Sequence, residues 1–230
     1  MMSVVDEFCY MFRGTFGDYE PIYTTCPEII FIVGPPGSGK TTIGKQLADR
    51  QNQLFISTGD LYRKEKDEDS KVYKFLNKIA LGMKDKTYTP DDYKNCQNMF
   101  MIDSIIRKLL KEDLFVGMPQ RFKNGIVIDG FRGSGDFEEL KHYLPTKQSC
   151  IYLDAPEAVL VKRLEDRDKD DLDVNKKSGV DPQYKKKIAV FNKIYGKKIR
   201  EDCKNLNMPI LVLNKPMSIT SIIDAAILQK

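Results

Sequence analysis

The sequence predicts an α/β fold, a doubly wound five-stranded parallel sheet with helices on both faces. Three observations carry that expectation. Short apolar runs recur five times along 230 residues, helical patterns separate them, and a G-x-x-x-x-G-K-[ST] run joins the first strand to the first helix. The apolar runs are Glu28–Val33 (EIIFIV), Gln53–Ser57 (QLFIS), Gly125–Ile128 (GIVI), Ser149–Leu153 (SCIYL) and Pro209–Leu213 (PILVL). They are continuous rather than alternating, as strands buried on both faces of a parallel sheet are. Strands alternating with helices require right-handed crossovers, and ligands of such sheets bind beyond the carboxyl ends of the strands.

The helical patterns follow in chain order. A first helix is expected over Thr42–Arg50. Residues 91–111 follow Pro90 and place Met99, Ile102, Ile106 and Leu109 at helical spacing. Residues 182–200 do the same with Tyr184, Ile188, Phe191, Tyr195 and Ile199, and the last helix carries Ile219, Ile222, Ala226 and Ile227. The aromatic members of these stripes read as core rather than as a cofactor box. Two segments break the rhythm. Residues 1–27 mix aromatics with acids without a period and read as an N-terminal extension to a domain spanning 28–230. Residues 167–183 are almost wholly polar, a solvated loop or a mobile lid.

Composition narrows the class. With 41% hydrophobic and 30% charged residues the chain is globular. The net charge of +4 is mild and comes mostly from lysine, since arginine occurs only nine times, so a nucleic-acid partner is not expected. The five cysteines are scattered without a C-x-x-C pair, which argues against a zinc knuckle or a disulfide framework. Apolar runs are too short to span a bilayer. Asp6 and Glu7 precede the first basic residue, Arg13, unlike a signal or transit peptide, so a cytoplasmic monomer is expected. With His142 as the only histidine, histidine-based catalysis has little to work with.

The run Gly34-Pro35-Pro36-Gly37-Ser38-Gly39-Lys40-Thr41 fills every fixed position of the phosphate-binding loop, between a strand and a helix as that motif requires. Glycines let backbone N–H groups wrap phosphates, and the helix N-terminus adds partial positive charge. Lys40 can reach the outer phosphates and the Thr41 hydroxyl can bind Mg²⁺, with Thr42 next along the first turn. A guanine-reading N-K-x-D motif is missing, because Asn214-Lys215-Pro216 is followed by Met217. At the second strand end, Ser57-Thr58-Gly59-Asp60-Leu61-Tyr62-Arg63 opens a helix, with Asp60 as the expected N-cap and Arg63 one turn inside.

Taken with the phosphate loop, these residues resemble the adenylate kinase group of nucleoside monophosphate kinases. ISTGDLYR is similar to that group's S-T-G-D-x-x-R motif, Ile126–Phe131 (IVIDGF) to its hydrophobics-then-D-G-[FY] strand end, and Leu153–Arg167 to its L-D-x-P…R-L-x-x-R element. The resemblance covers roughly residues 28–229. It implies strand order 2-3-1-4-5, an acceptor-binding insertion near residues 60–90, a lid near 167–183, and phosphoryl transfer from MgATP to a nucleoside monophosphate. The acceptor phosphate is already anionic, so positioning and charge stabilisation would carry the reaction. Thr58, Gly59, Arg63 and Gly130 would then bind the acceptor, Asp129 would organise the metal with Thr41, and Arg163 and Arg167, four apart on one helix face, would hold the donor and the transferring group.

The chain departs from that group at three places. The loop reads Gly-Lys-Thr-Thr rather than Gly-Lys-Gly-Thr. Around the lid, Asp168-Lys169 stands before the acidic pair Asp170-Asp171 where an arginine is expected, Lys187 stands where a second arginine is expected on the helix after the lid, and no arginine occurs between Arg167 and Arg200. After Asp129 the turn lacks its proline and reads Gly130-Phe131-Arg132-Gly133-Ser134-Gly135-Asp136-Phe137. Arg132 could take the phosphate-binding role there, while Asp136 or Phe137 replaces the base-reading amide. An aspartate would favour a base edge bearing donors, as guanine or an aminated pyrimidine offers. Two alternatives stay open: a small kinase acting on another metabolite, and a nucleotide-binding relative with weak catalysis and a regulatory role.

Overall fold

A computed structural model describes residues 28–83, 86–89, positions 92, 93, 96, 100–102, 104 and 105, then 124–130, 134–144, 146–170, 183–205, 210–213 and 218–228. The expected extension 1–27 and most of the expected lid lie outside these residues. The elements run β1 (Glu28–Val33), α1 (Lys40–Arg50), β2 (Leu54–Ser57), α2 (Thr58–Asp67), α3 (Lys71–Gly82), β3 (Ile126–Asp129), α4 (Ser134–Tyr143), β4 (Lys147–Leu153), α5 (Glu157–Asp170), α6 (Gln183–Val190), a π-helical turn (Phe191–Gly196), α7 (Lys197–Asn205), β5 (Ile210–Leu213) and α8 (Ile219–Leu228). The strands form one sheet in the order β2-β3-β1-β4-β5, every adjacent pair parallel.

The continuous apolar runs divide between the two faces, residue by residue. Ile29, Phe31 and Val33 of β1 join one core with Ile126, Ile128, Phe137, Leu140 and Ile199, under α4 and α7. Ile30 and Ile32 join the other with Ile43, Leu47, Val127, Ile151 and Ile223, under α1 and α8. Each buried aliphatic side chain contributes about 1.5–3 kcal/mol. Every residue of β1 and β3 is buried, so neither strand has a wet face to alternate. An Arg50–Asp224 ion pair of 2.6 Å joins α1 to α8.

Four local expectations are corrected. In α8 Ile223 is buried and the expected Ile222 packs against the same core, whereas Ile227 is 36% exposed rather than buried. The N-cap of α2 is Ser57, whose hydroxyl accepts from the Asp60 amide at 3.3 Å. Asp60 therefore sits in the first turn, favoured there by the helix dipole. α4 begins at Ser134, which places Asp136 and Phe137 inside a helix rather than in the turn after Asp129. Phe137 is fully buried, edge-to-face with Phe31 at 4.7 Å between centroids, and cannot read a base. Finally, the stripe of residues 182–200 is interrupted by the π-helical turn. A wide turn rotates whatever follows it. Tyr184 and Ile188 pack against Leu160 and Leu164 of α5, whereas Phe191 and Ile199 pack against the sheet. Tyr195 is only half-buried and faces a cavity.

The stretch expected to hold an acceptor, residues 60–90, has its own small core. Phe75, Leu76 and Ile79 of α3 pack with Cys96, Phe100 and Met101, and Tyr62 of α2 meets Tyr73 and Phe100 edge-on. Of the expected helix over 91–111, Ile102 is buried, while Met99, Ile106 and Leu109 lie outside the described residues.

Candidate active site

The carboxyl ends of β1, β2 and β3 open into one cavity of about 1170 Å³. Its floor is the loop between β1 and α1. Gly34, Gly37, Gly39, Lys40, Thr41 and Thr42 of the expected phosphate loop line it, together with Pro36. Pro35 and Ser38 hold the loop rather than line the cavity. The Ser38 amide donates to the Pro35 carbonyl at 3.2 Å, and the Ser38 hydroxyl is buried with no partner among the described residues. Gly37 has φ +82, and a β-carbon there would lie 2.7 Å from the Leu160 carbonyl oxygen, so the loop can approach α5 only as glycine. The N-cap of α1 is Gly39, which brings no side chain to the first N–H groups of the helix. Those donors face the cavity floor, the arrangement that receives anions.

Lys40 Nζ donates to the carbonyls of Gly34 and Pro35, both at 2.9 Å, so the chain itself holds the ammonium across the loop. The Thr41 hydroxyl donates to Asp129 Oδ2 at 2.5 Å. Asp129 ends β3 and is only 4% exposed. Burial pushes its carboxyl above the usual carboxylate range, opposed by the Thr41 hydrogen bond and the Lys40 charge. A hydroxyl and a buried carboxylate beside a phosphate loop form a hard-oxygen pair. Mg²⁺ favours such sites, taking one or two protein oxygens and completing its shell with water and phosphate. Thr41 and Asp129 fit that ion.

β2 and α2 supply the side facing the loop. Ser57, Thr58, Gly59 and Arg63 line the cavity with Gly130. Thr58 is itself buried, and its hydroxyl donates to the Asp129 carbonyl at 3.0 Å, fastening the end of β2 to the end of β3. Gly130 has φ +99, and a β-carbon on it would collide with the Thr58 hydroxyl. Arg63 forms an i,i+3 ion pair with Asp60 and remains 64% exposed.

α5 and α6 close the far side with Arg163, Leu164, Lys186, Lys187 and Val190, and the π-helical turn adds Phe191 and Tyr195. Arg163 has no hydrogen bond or ion pair among the described residues. Arg167 lies on α5 and Asp136 in the first turn of α4, but their side chains are outside the described residues, as is Arg132 altogether. Sequence reasoning missed Ser57, Lys186 and the Phe191–Tyr195 pair as cavity residues. Lys186 adjoins the predicted Lys187, so sequence alone could not separate the two. The aromatic pair reads as core by periodicity, and only the π-helical turn brings part of it to the cavity. Behind this wall, Arg200 pairs with Asp154 at 3.0 Å and stacks on Tyr152 at 4.3 Å, tying α7 to the end of β4.

Comparison with known proteins gives three findings. Residues 30–184 match the AAA domain family. Two curated relatives are the adenylate kinase of Clostridium tetani, 31% identical over 60% of this chain and 58% of that protein, and the adenylate kinase of Mesomycoplasma hyopneumoniae, 35% identical over 44% and 48%. The chain thus spans about half the length of the curated relatives it matches. Among solved structures, a Chloroflexus aurantiacus protein, provisionally described as a kinase, aligns with a TM-score of 0.54 over 89% of this chain and 98% of that one. At 13% identity that is a likeness of fold.

Proposed function

This chain belongs to the AAA domain family, and from that premise we propose that it transfers a phosphoryl group from MgATP to a nucleoside monophosphate, yielding two diphosphates. One observation carries the reading. The phosphate loop and the strand-end motif bearing Arg63 open into the same cavity, with Asp129 between them. A volume of about 1170 Å³ exceeds what one drug-sized ligand needs, so two nucleotides can meet there end to end. The curated relatives named adenylate kinase support the same reading.

In this reading the loop from Gly34 to Thr42 holds the donor phosphates, and Lys40 shifts from the Gly34 and Pro35 carbonyls onto a phosphate oxygen. Arg63 exchanges Asp60 for the acceptor phosphate, with Thr58, Gly59 and Gly130 shaping the space beside it. Arg132, Arg163, Arg167 and a lysine of α6 add positive charge around the transferring group. Thr41 and Asp129 would hold Mg²⁺, which when bound neutralises phosphate charge. The acceptor oxygen is already anionic, so the protein's work is alignment and charge stabilisation. Residues 60–90 act as the acceptor-binding unit of the 28–230 domain, 167–183 as the lid, and the protein works as a cytoplasmic monomer without a nucleic-acid or membrane partner. Asp136 reads the acceptor base and favours one that offers donors. No described helix is long and apolar enough to cross a membrane.

The test is an acceptor panel. Purified chain with MgATP is offered AMP, GMP, CMP and UMP, and diphosphate formation is followed. Rapid turnover on at least one, abolished by Lys40→Ala, is the expected result. Preference for GMP or CMP that disappears in Asp136→Ala supports the base reader, whereas equal use of AMP counts against it. Turnover near background with ATP binding retained would replace the kinase reading with that of a nucleotide-binding relative.

A further inference from the structure

The cavity takes two adjacent lysines from α6, and their surroundings differ. Lys187 lies over the Tyr184 ring, 5.5 Å from its centroid, three residues back along the same helix. Tyr184 is buried against α5, so the ring that holds this ammonium is itself fixed. An exposed cation over an aromatic ring gains about 0.5–1 kcal/mol, which Lys187 would forfeit in moving onto a ligand. Lys186 has no such tether. Among the described residues it makes no hydrogen bond, ion pair or ring contact, it is exposed, and it lines the cavity. Its neighbour four residues on, Val190, lines the cavity too, so this flank of α6 presents an apolar strip with a charged tip. Across from it on α5 stands Arg163, also without a partner among the described residues.

We propose that Lys186, not Lys187, is the lysine of α6 that contacts the phosphates of the bound nucleotide, and that Lys187 is a positioning residue held by Tyr184. The assignment rests on the kinase reading above and changes which residue does the work on this side of the cavity. The physical basis is a difference in what each side chain must give up. Two cations directed into one cavity without counter-charges repel each other. An anionic ligand relieves that repulsion most where no internal partner is surrendered. Lys186 and Arg163 meet that condition, whereas Lys187 is already engaged.

The experiment measures binding of inorganic triphosphate, with Mg²⁺, to the full chain by calorimetry, alongside the KM for ATP. Lys186→Ala is expected to weaken triphosphate binding about tenfold, the size of one charge-assisted hydrogen bond, and to raise the KM for ATP in parallel. Lys186→Arg is expected to retain most of the affinity. Lys187→Ala is expected to change binding by less than about twofold, in line with a weak tether lost. All three variants should keep the wild-type melting transition, since both side chains are exposed. A larger loss from Lys187→Ala, equal losses from both, or no triphosphate binding to the wild-type chain would each overturn the assignment. If triphosphate binds and Lys186→Ala weakens it while no nucleoside monophosphate is phosphorylated, the acceptor reading fails and the assignment of Lys186 stands.

Discussion

The two sides of the cavity are built on opposite terms. The floor, between β1 and α1, is held by the chain itself. Lys40 bonds two carbonyls, Thr41 bonds Asp129, and Thr58 locks the end of β2 to that of β3. The wall from α5 and α6 presents Arg163 and Lys186 with no partner among the described residues. A floor shaped before any ligand arrives loses little freedom on binding and can be precise. A wall of unpaired cations is completed only by the ligand's charge. Under the proposed function, the contrast would separate groups that align phosphates from groups that enclose them.

Four substitutions probe that contrast. The largest effect belongs to the floor. Lys40→Ala is expected to cut turnover by about 10²–10³ or more, whereas Arg163→Ala on the wall should cost about tenfold, mostly in the KM for ATP. Steady-state kinetics of both variants, on whichever acceptor is used, checks this. Equal losses would mean that the wall takes part in alignment as much as the floor.

A smaller effect is structural. Gly130→Ala pushes a β-carbon into the Thr58 hydroxyl at a positive φ, so a loss of about 1–3 kcal/mol in unfolding free energy is expected. Chemical denaturation measures it. Restoration by a second change, Thr58→Ser, which removes a methyl group but keeps the hydroxyl, would locate the clash away from that oxygen.

The smallest effect concerns Asp129, and its sign is fixed by burial. A carboxyl held above its usual value is less stable when ionised in the folded state. Asp129→Asn should therefore raise the melting temperature of the ligand-free protein near neutral pH. The gain should shrink as pH falls through the raised value and vanish below the ordinary aspartate range, where the wild-type group is neutral in both states. Thermal melts across pH measure it. A neutral-pH melting point lowered by Asp129→Asn would show that the Thr41 hydrogen bond outweighs burial. Activity should fall in the same variant, since the charge proposed to face Mg²⁺ is gone.

Much of this molecule can be read from local sequence. The five apolar runs mark strands because a residue buried on both faces of a sheet cannot alternate, as Ile29 and Ile30 demonstrate by entering opposite cores. The phosphate loop is legible because its glycines and Lys40 are contiguous, and their job depends on backbone shape over eight residues. Other expectations failed where two patterns competed. Ser57, not Asp60, caps α2, since both are cap formers and the helix begins at Thr58, directly after β2 and three residues before an Asp60 cap would start it. Ile227 misses the core because it shares the flank of α8 that carries the exposed Thr220 and Asp224.

By itself, then, the sequence determined the layered sheet, the phosphate loop and the strand-end aspartate, all of which follow from burial and from short contiguous motifs. Only the tertiary structure decided that Thr41 meets Asp129 across 88 residues, that Phe137 is buried against Phe31, that a π-helical turn brings Tyr195 to the cavity, and that Lys187 leans on Tyr184 while Lys186 does not. These depend on which distant group fills the space or supplies the partner. Two neighbouring lysines look alike along a chain, and only their surroundings tell them apart.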